Sequence, residues 1–125
     1  MAGRAFNLSM TDEIIADSCR LAADMTADLL GDNLVSIILF GSCARGDYSA
    51  DSDIDIALIT KSGRQEDKNY RSGLAEIATE IAMRTFAVVN FICIPKEEFD
   101  RNRSWYLFYR NIVSEGKVLY GSEIL

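Results

Sequence analysis

Residues 40–56 read FGSCARGDYSADSDIDI and lie between two apolar runs. LVSIILF occupies residues 34–40, and DIDIALIT occupies 53–60. Both runs are short, continuous and rich in β-branched residues, the pattern of strands buried on both faces. Gly41-Ser42 breaks the first run, Cys43-Ala44-Arg45 has room for one helical turn, and residues 46–52 form a polar loop. The spacing predicts a hairpin-like pair of strands joined across that loop.

The chemistry-bearing residues sit at the two ends of the loop. Residues two apart on a strand share a face, with Cα atoms roughly 6.6 Å apart. Asp53 and Asp55 therefore project together, while Ile54 and Ile56 turn into the core. Two such carboxylates can converge on divalent ions about 4 Å apart, as two-metal phosphoryl chemistry requires. Hard oxygen donors favour magnesium or manganese. Gly41 lets a phosphate approach the backbone, Ser42 adds a hydroxyl, and the amides that follow make an anion site. Arg45 can add charge to the phosphates, or pair with Asp47 or Asp51 to hold the loop. Ser52 can cap the strand entry. Alone, a Gly-Ser after a strand is a turn, and an Asp-x-Asp is a solvated strand end. Their order and separation here favour a phosphate cradle beside a metal clamp.

Outward from this stretch the chain alternates helices and strands. Thr11 caps a helix stopped by Gly31, with Ile14, Leu21, Met25 and Leu29 on its apolar stripe. Residues 65–84 are helical by propensity, with Leu74, Ile77, Ala78 and Ile81 inward. The mixed charges at 66–71 are read as solvated. Residues 86–94, FAVVNFICI, form a third strand closed by Pro95. A helical turn follows at 96–99 and a last helix at 103–114. On that helix Trp105, Phe108, Tyr109 and Ile112 share one face, read as core that can spill over into a partner surface. Residues 118–120 add a short strand, and residues 1–9 are a ragged end. The order α, β, β, α, β, α, β predicts an α+β fold, a mixed β-sheet flanked by helices. Strand order does not follow from these runs.

Bulk properties set limits. The 125 residues form one domain, 49% hydrophobic and 26% charged, enough to bury a core. The net charge of -6 argues against non-specific nucleic-acid binding. The chain has no histidine, which excludes Ser-His or Cys-His nucleophiles and histidine-bound metal. Cys19, Cys43 and Cys93 are odd in number and fit no zinc spacing, which points to a reducing, cytoplasmic setting. No apolar run is long enough to span a bilayer, so no membrane association is expected.

The compound motif Gly41-Ser42-Cys43-Ala44-Arg45-Gly46-Asp47, then Ser52-Asp53-Ile54-Asp55, resembles the GSxARGD…SDIDL signature of the minimal nucleotidyltransferases, within the DNA polymerase beta-like superfamily. The ending at residues 111–121, NIVSEGKVLYG, is similar to the close of these small proteins. The resemblance implies the polymerase beta-like nucleotidyltransferase fold. It also implies transfer of a nucleoside monophosphate, AMP from ATP by family habit, to a hydroxyl of a protein or small-molecule acceptor. By the same resemblance Gly41, Ser42 and Arg45 would hold the triphosphate, Asp53 and Asp55 would bind Mg2+ or Mn2+, and Asn90 would stand where relatives carry a third carboxylate. An amide oxygen is a weaker ligand and no base. Glu97, Glu98 and Asp100 are nearby substitutes in sequence. A weakened, nucleotide-binding or partner-neutralising subunit is the alternative. Many relatives form operon pairs with a helical HEPN protein, so the expected partners are an NTP and a HEPN-type chain, or a second copy of this one.

Overall fold

The computed structural model describes residues 10–121; the ragged end expected at 1–9 lies outside the described residues. Helix α1 (Asp12–Leu30) starts where Thr11 Oγ1 accepts from the Ile14 amide, and it ends at Gly31. Strand β1 (Leu34–Phe40) leads into a single turn, α2 (Ser42–Arg45), and the loop returns to β2 (Ile54–Thr60). Helices α3 (Arg64–Asp67) and α4 (Arg71–Thr85) precede β3 (Val89–Pro95). Helices α5 (Lys96–Asn102) and α6 (Leu107–Glu115) precede β4 (Lys117–Gly121).

The four strands lie in the order β3-β2-β1-β4. β1 pairs antiparallel with β2 and β4, and β2 pairs parallel with β3, so the sheet is mixed as expected. Alternation along each strand splits the core in two. On one face α1 and α4 bury Ile37, Leu39, Ile54, Ile56 and Leu58 beneath Ala22, Leu74 and Ile81. On the other, α5 and α6 cover Ile38, Ala57, Ile59 and Ile94 with Phe99, Tyr109 and Ile112. Each fully buried Ile or Leu contributes roughly 1.5–3 kcal/mol. Strand alternation carries Asp55 onto the second face, at the end that α5 and α6 leave open. Among the described residues no helix is long and apolar enough to cross a membrane.

Three expected elements differ, each for a local reason. The helix at 65–84 is broken by a 3-10 turn, Lys68–Tyr70. Asp67 is buried, not solvated: its carboxylate is drawn inward to accept from Thr60 Oγ1 at 2.9 Å and Ser62 Oγ at 2.8 Å. The third strand starts at Val89, because Phe86 caps α4 in a left-handed conformation, its amide donating to Ala82 O at 2.8 Å. The last helix starts at Leu107. The amides of Trp105 and Tyr106 close a turn on Asn102 O. Trp105 therefore leaves the expected helical face and is 67% exposed, while Tyr109 and Ile112 are buried as read.

Cys19 and Cys93 pack in the first core, and burial pushes both thiols from 9.0 up to about 11. Between those values the unfolded chain has released thiol protons that the folded chain keeps. The thiols' contribution to stability is therefore constant below about pH 8 and falls as pH rises through 9 to 11. Urea midpoints across that range will show a shallower fall in the Cys19→Ala/Cys93→Ala double variant. An equal fall in both proteins would rule the thiols out as the cause.

Candidate active site

The register of the three central strands assembles the site. Phe40, the last residue of β1, lies opposite Asp55 on β2, and Asp55 lies opposite Asn90 on β3. The bend at Gly41, the acids and Asn90 thus meet in one row across one end of the sheet. Asp53 and Asn90 are exposed and Asp55 is half-buried.

Asn90 joins the two acids. Its Nδ2 donates to Asp53 Oδ2 at 3.1 Å and to Asp55 Oδ1 at 3.2 Å. One nitrogen within hydrogen-bond reach of an oxygen from each carboxylate means the acids do share a face and converge. The spot that this NH2 group takes is where a small cation between them would sit. The donor set is hard, two carboxylates with an amide oxygen available if Asn90 turns over, and fits a divalent ion such as magnesium. Among the described residues no third acid joins them. Glu98 accepts from Arg64 Nε at 3.0 Å and from Tyr109 at 3.0 Å, and the Arg64 guanidinium holds its carboxyl below the usual range. Glu97 is engaged by Arg101, and Asp100 by Lys96. All three neighbours are thus engaged away from Asp53 and Asp55.

The bend is pressed against the acids. Gly41 has φ 77° and ψ -160°, a region open to glycine, and a Cβ there would lie 2.7 Å from Asp55 Oδ2. The amides of Ala44 and Arg45 both close on Gly41 O at 3.1 Å. Those ahead of them, of Ser42 and Cys43, have no carbonyl within the turn to bond. Cys43 is buried, and its thiol donates to Asp53 O at 3.5 Å, latching the turn to the strand entry. Burial, with Asp55 nearby, pushes that thiol up, which suits a packing role.

Arg45 pairs within the loop and beyond it. Its Nε donates to both Asp47 oxygens at 3.2 Å and its Nη1 to Glu115 at 3.0 Å, tying the loop to the end of α6. Asp51 is not its partner. Ser52 Oγ accepts from the Ser49 amide at 2.8 Å, so Ser52 shapes the loop. Away from the acids, Arg103 lies over the Phe99 ring at 5.6 Å.

A family model described as "Polymerase beta, Nucleotidyltransferase" matches residues 28–124, most of the chain and every residue of this row. The chain belongs to the polymerase beta nucleotidyltransferase family. This nucleotidyltransferase is 39% identical over 84 residues to a Methanocaldococcus jannaschii chain named "putative protein adenylyltransferase", covering 67% of this chain and 76% of that one. Its fold is that of solved nucleotidyltransferase complexes. A chain of the complex of tri-AMPylated Shewanella oneidensis HEPN toxin with MNT antitoxin superposes with a TM-score of 0.54 at 21% identity, covering 86% of this chain and 73% of that one. A chain of a toxin-antitoxin structure with AMP-PNP gives 0.51 at 25% identity, covering 80% and 73%.

Sequence reading missed the surroundings of Asn90. A recess of about 290 Å³ beside it is lined by Arg71, Leu74, Val89 and Phe91, and Arg71 came from a charge run read as solvated. Only the strand order, which the runs do not encode, brings α4 beside Asn90.

The two loop glycines differ in both strain and crowding. Gly46, with φ 88° and open space around its Cβ position, should lose about 1 kcal/mol on Gly46→Ala. Gly41→Ala adds the collision with Asp55 and should lose at least about 2 kcal/mol. Denaturant titration of both variants checks this, and equal losses would mean the bend does not rest on Asp55.

Proposed function

We propose that this nucleotidyltransferase is a metal-dependent enzyme that moves AMP from ATP to a hydroxyl of a protein acceptor, as the antitoxin-like half of a pair with a HEPN-type partner. The observation that carries this reading is the row of Gly41, Asp53, Asp55 and Asn90, with both carboxylates within reach of one nitrogen. The kinship with a chain named for protein adenylylation supports the acceptor class. The fold shared with MNT antitoxins solved beside HEPN toxins supports the partner.

In this reading the Gly41-Ser42 bend binds the triphosphate through backbone amides and the Ser42 hydroxyl. Asp53 and Asp55 hold magnesium, or manganese, which when bound neutralises phosphate charge and polarises the reacting oxygens. Arg45 keeps the loop over the bend through Asp47 and Glu115. The acceptor oxygen bonds to the α-phosphorus as the bridging bond to the β-phosphate breaks. The electron pair leaves with pyrophosphate, and the hydroxyl proton goes to solvent, since the Asn90 amide cannot take it. Positioning and charge stabilisation supply most of the rate.

Asp53→Ala and Asp55→Ala should each abolish the magnesium-dependent rise in melting temperature with ATP and cut pyrophosphate release by roughly 100-fold or more. Unchanged binding and release in both variants would discard the site.

The amide between the acids also favours a second reading, a nucleotide-binding subunit with weakened turnover that neutralises its partner by contact. Asn90→Asp distinguishes the two. A gain in pyrophosphate release, with tighter magnesium binding by calorimetry, means the amide limits catalysis. A loss means Asn90 is a working residue of this enzyme.

A further inference from the structure

In-line displacement places the attacking and leaving oxygens on opposite sides of the phosphorus. The bend that would hold the departing pyrophosphate lies on the β1 side of Asp55, and Asn90 lies on the β3 side. The acceptor must then arrive from β3, and β3 is an edge strand. The Ile54 amide donates to Val88 O at 2.9 Å, so in this parallel ladder the even-numbered residues of β3 turn their backbone groups toward β2. Val89, Phe91 and Cys93 turn theirs outward, and among the described residues no strand pairs with them.

A groove follows this edge from Asn90. Two recesses of about 290 Å³ each share Arg71, Leu74 and Phe91; the first includes Asn90 and Val89, the second Lys68 and Cys93. The floor is apolar. Arg71 and Lys68 are exposed and, among the described residues, make no ion pair. The acid at the far end, Asp67, is buried and taken up by Thr60 and Ser62. Two uncommitted cations on one rim of a chain of net charge -6 point to an anionic occupant. Nothing within β3 defends its edge: no lysine, and proline only at the last residue, Pro95.

We propose that this edge is the acceptor subsite: an extended peptide segment pairs with the outer edge of β3, turning its hydroxyl residue to the second face, toward Asn90, Asp53 and Asp55, and its flanking acidic and apolar side chains to the groove on the first face. The outward groups of Val89, Phe91 and Cys93 supply main-chain hydrogen bonds, Leu74 and Phe91 take an apolar side chain, and Arg71 and Lys68 select for acid. The span from Val89 to Cys93 seats about five extended residues. The inference deepens the transfer reading given above and rests on it, but binding at the edge is measured without nucleotide.

The probes are three synthetic decapeptides: one with valine and glutamate placed one and three residues from a central serine, so that both share the face opposite it, one with lysine in place of glutamate, and the acidic peptide N-methylated at alternate residues. With the full chain and no ATP, the acidic peptide should shift the NMR amide signals of Val89, Phe91 and Cys93 and bind about tenfold tighter than the lysine peptide. N-methylation, which leaves the protein untouched, should remove binding. Lys68→Glu/Arg71→Glu should reverse the charge preference without lowering the melting temperature. Equal affinity for the two charges, shifts confined to other strands, full binding of the methylated peptide, or no binding of the acidic one would each overturn the proposal. Loss of ATP binding in the Asp53 and Asp55 variants leaves these measurements unmoved, so the two readings fail separately.

Discussion

Two carboxylates that repel each other are held on one side of a strand end, and an uncharged amide from the next strand stands between them. Asp53 and Asp55 cannot splay apart. Ile54 and Ile56, each 0% exposed, fix the strand's other face in the core. Gly41 presses on Asp55 from the β1 side, and the Cys43 thiol holds Asp53 by its carbonyl. The Asn90 NH2 group answers one oxygen of each acid. Every constraint on the pair comes from the backbone or from a neutral side chain, so none brings a counter-charge that would compete with a cation.

The strand order turns that local arrangement into a direction. A bend on β1, acids on β2 and an amide on β3 make a row about three strands wide, roughly 10 Å from end to end at the usual strand spacing. The antiparallel β1-β2 pair brings the bend back to the acids across the connection at residues 41–53. The parallel β2-β3 pair needs a helical crossover, and α3 and α4 provide it. The crossover that sets Asn90 in place therefore also supplies Lys68 and Arg71 to the edge beside it.

How much of this was legible depended on whether a residue's partners were near in sequence. Thr11 and Gly31 bounded α1, and the run 34–40 matched β1 residue for residue, because capping and continuous apolar patterning are local signals. Asp53 and Asp55 were legible because strand alternation alone places them together. Long-range partners decided the rest. Asp67 looked like one charge in a mixed run until Thr60 and Ser62 drew it inward. Phe86 had strand propensity, but the end of α4 needed a cap. Trp105 fitted a helical period, but Asn102 closed a turn beneath it first. Arg45 was read beside Asp47, but its contact with Glu115, seventy positions away, was not legible.

Asn90 is where local and distant information meet. Its position in the row follows from register, yet its chemistry differs from that of a third carboxylate in one respect that matters: it carries no charge. A third acid would add repulsion to a pair already crowded and would need a cation to hold the cluster together. The amide donates to both acids at once, and it offers an oxygen once turned over. Asn90 also sits one residue into β3, beside the sheet edge that begins at Val89.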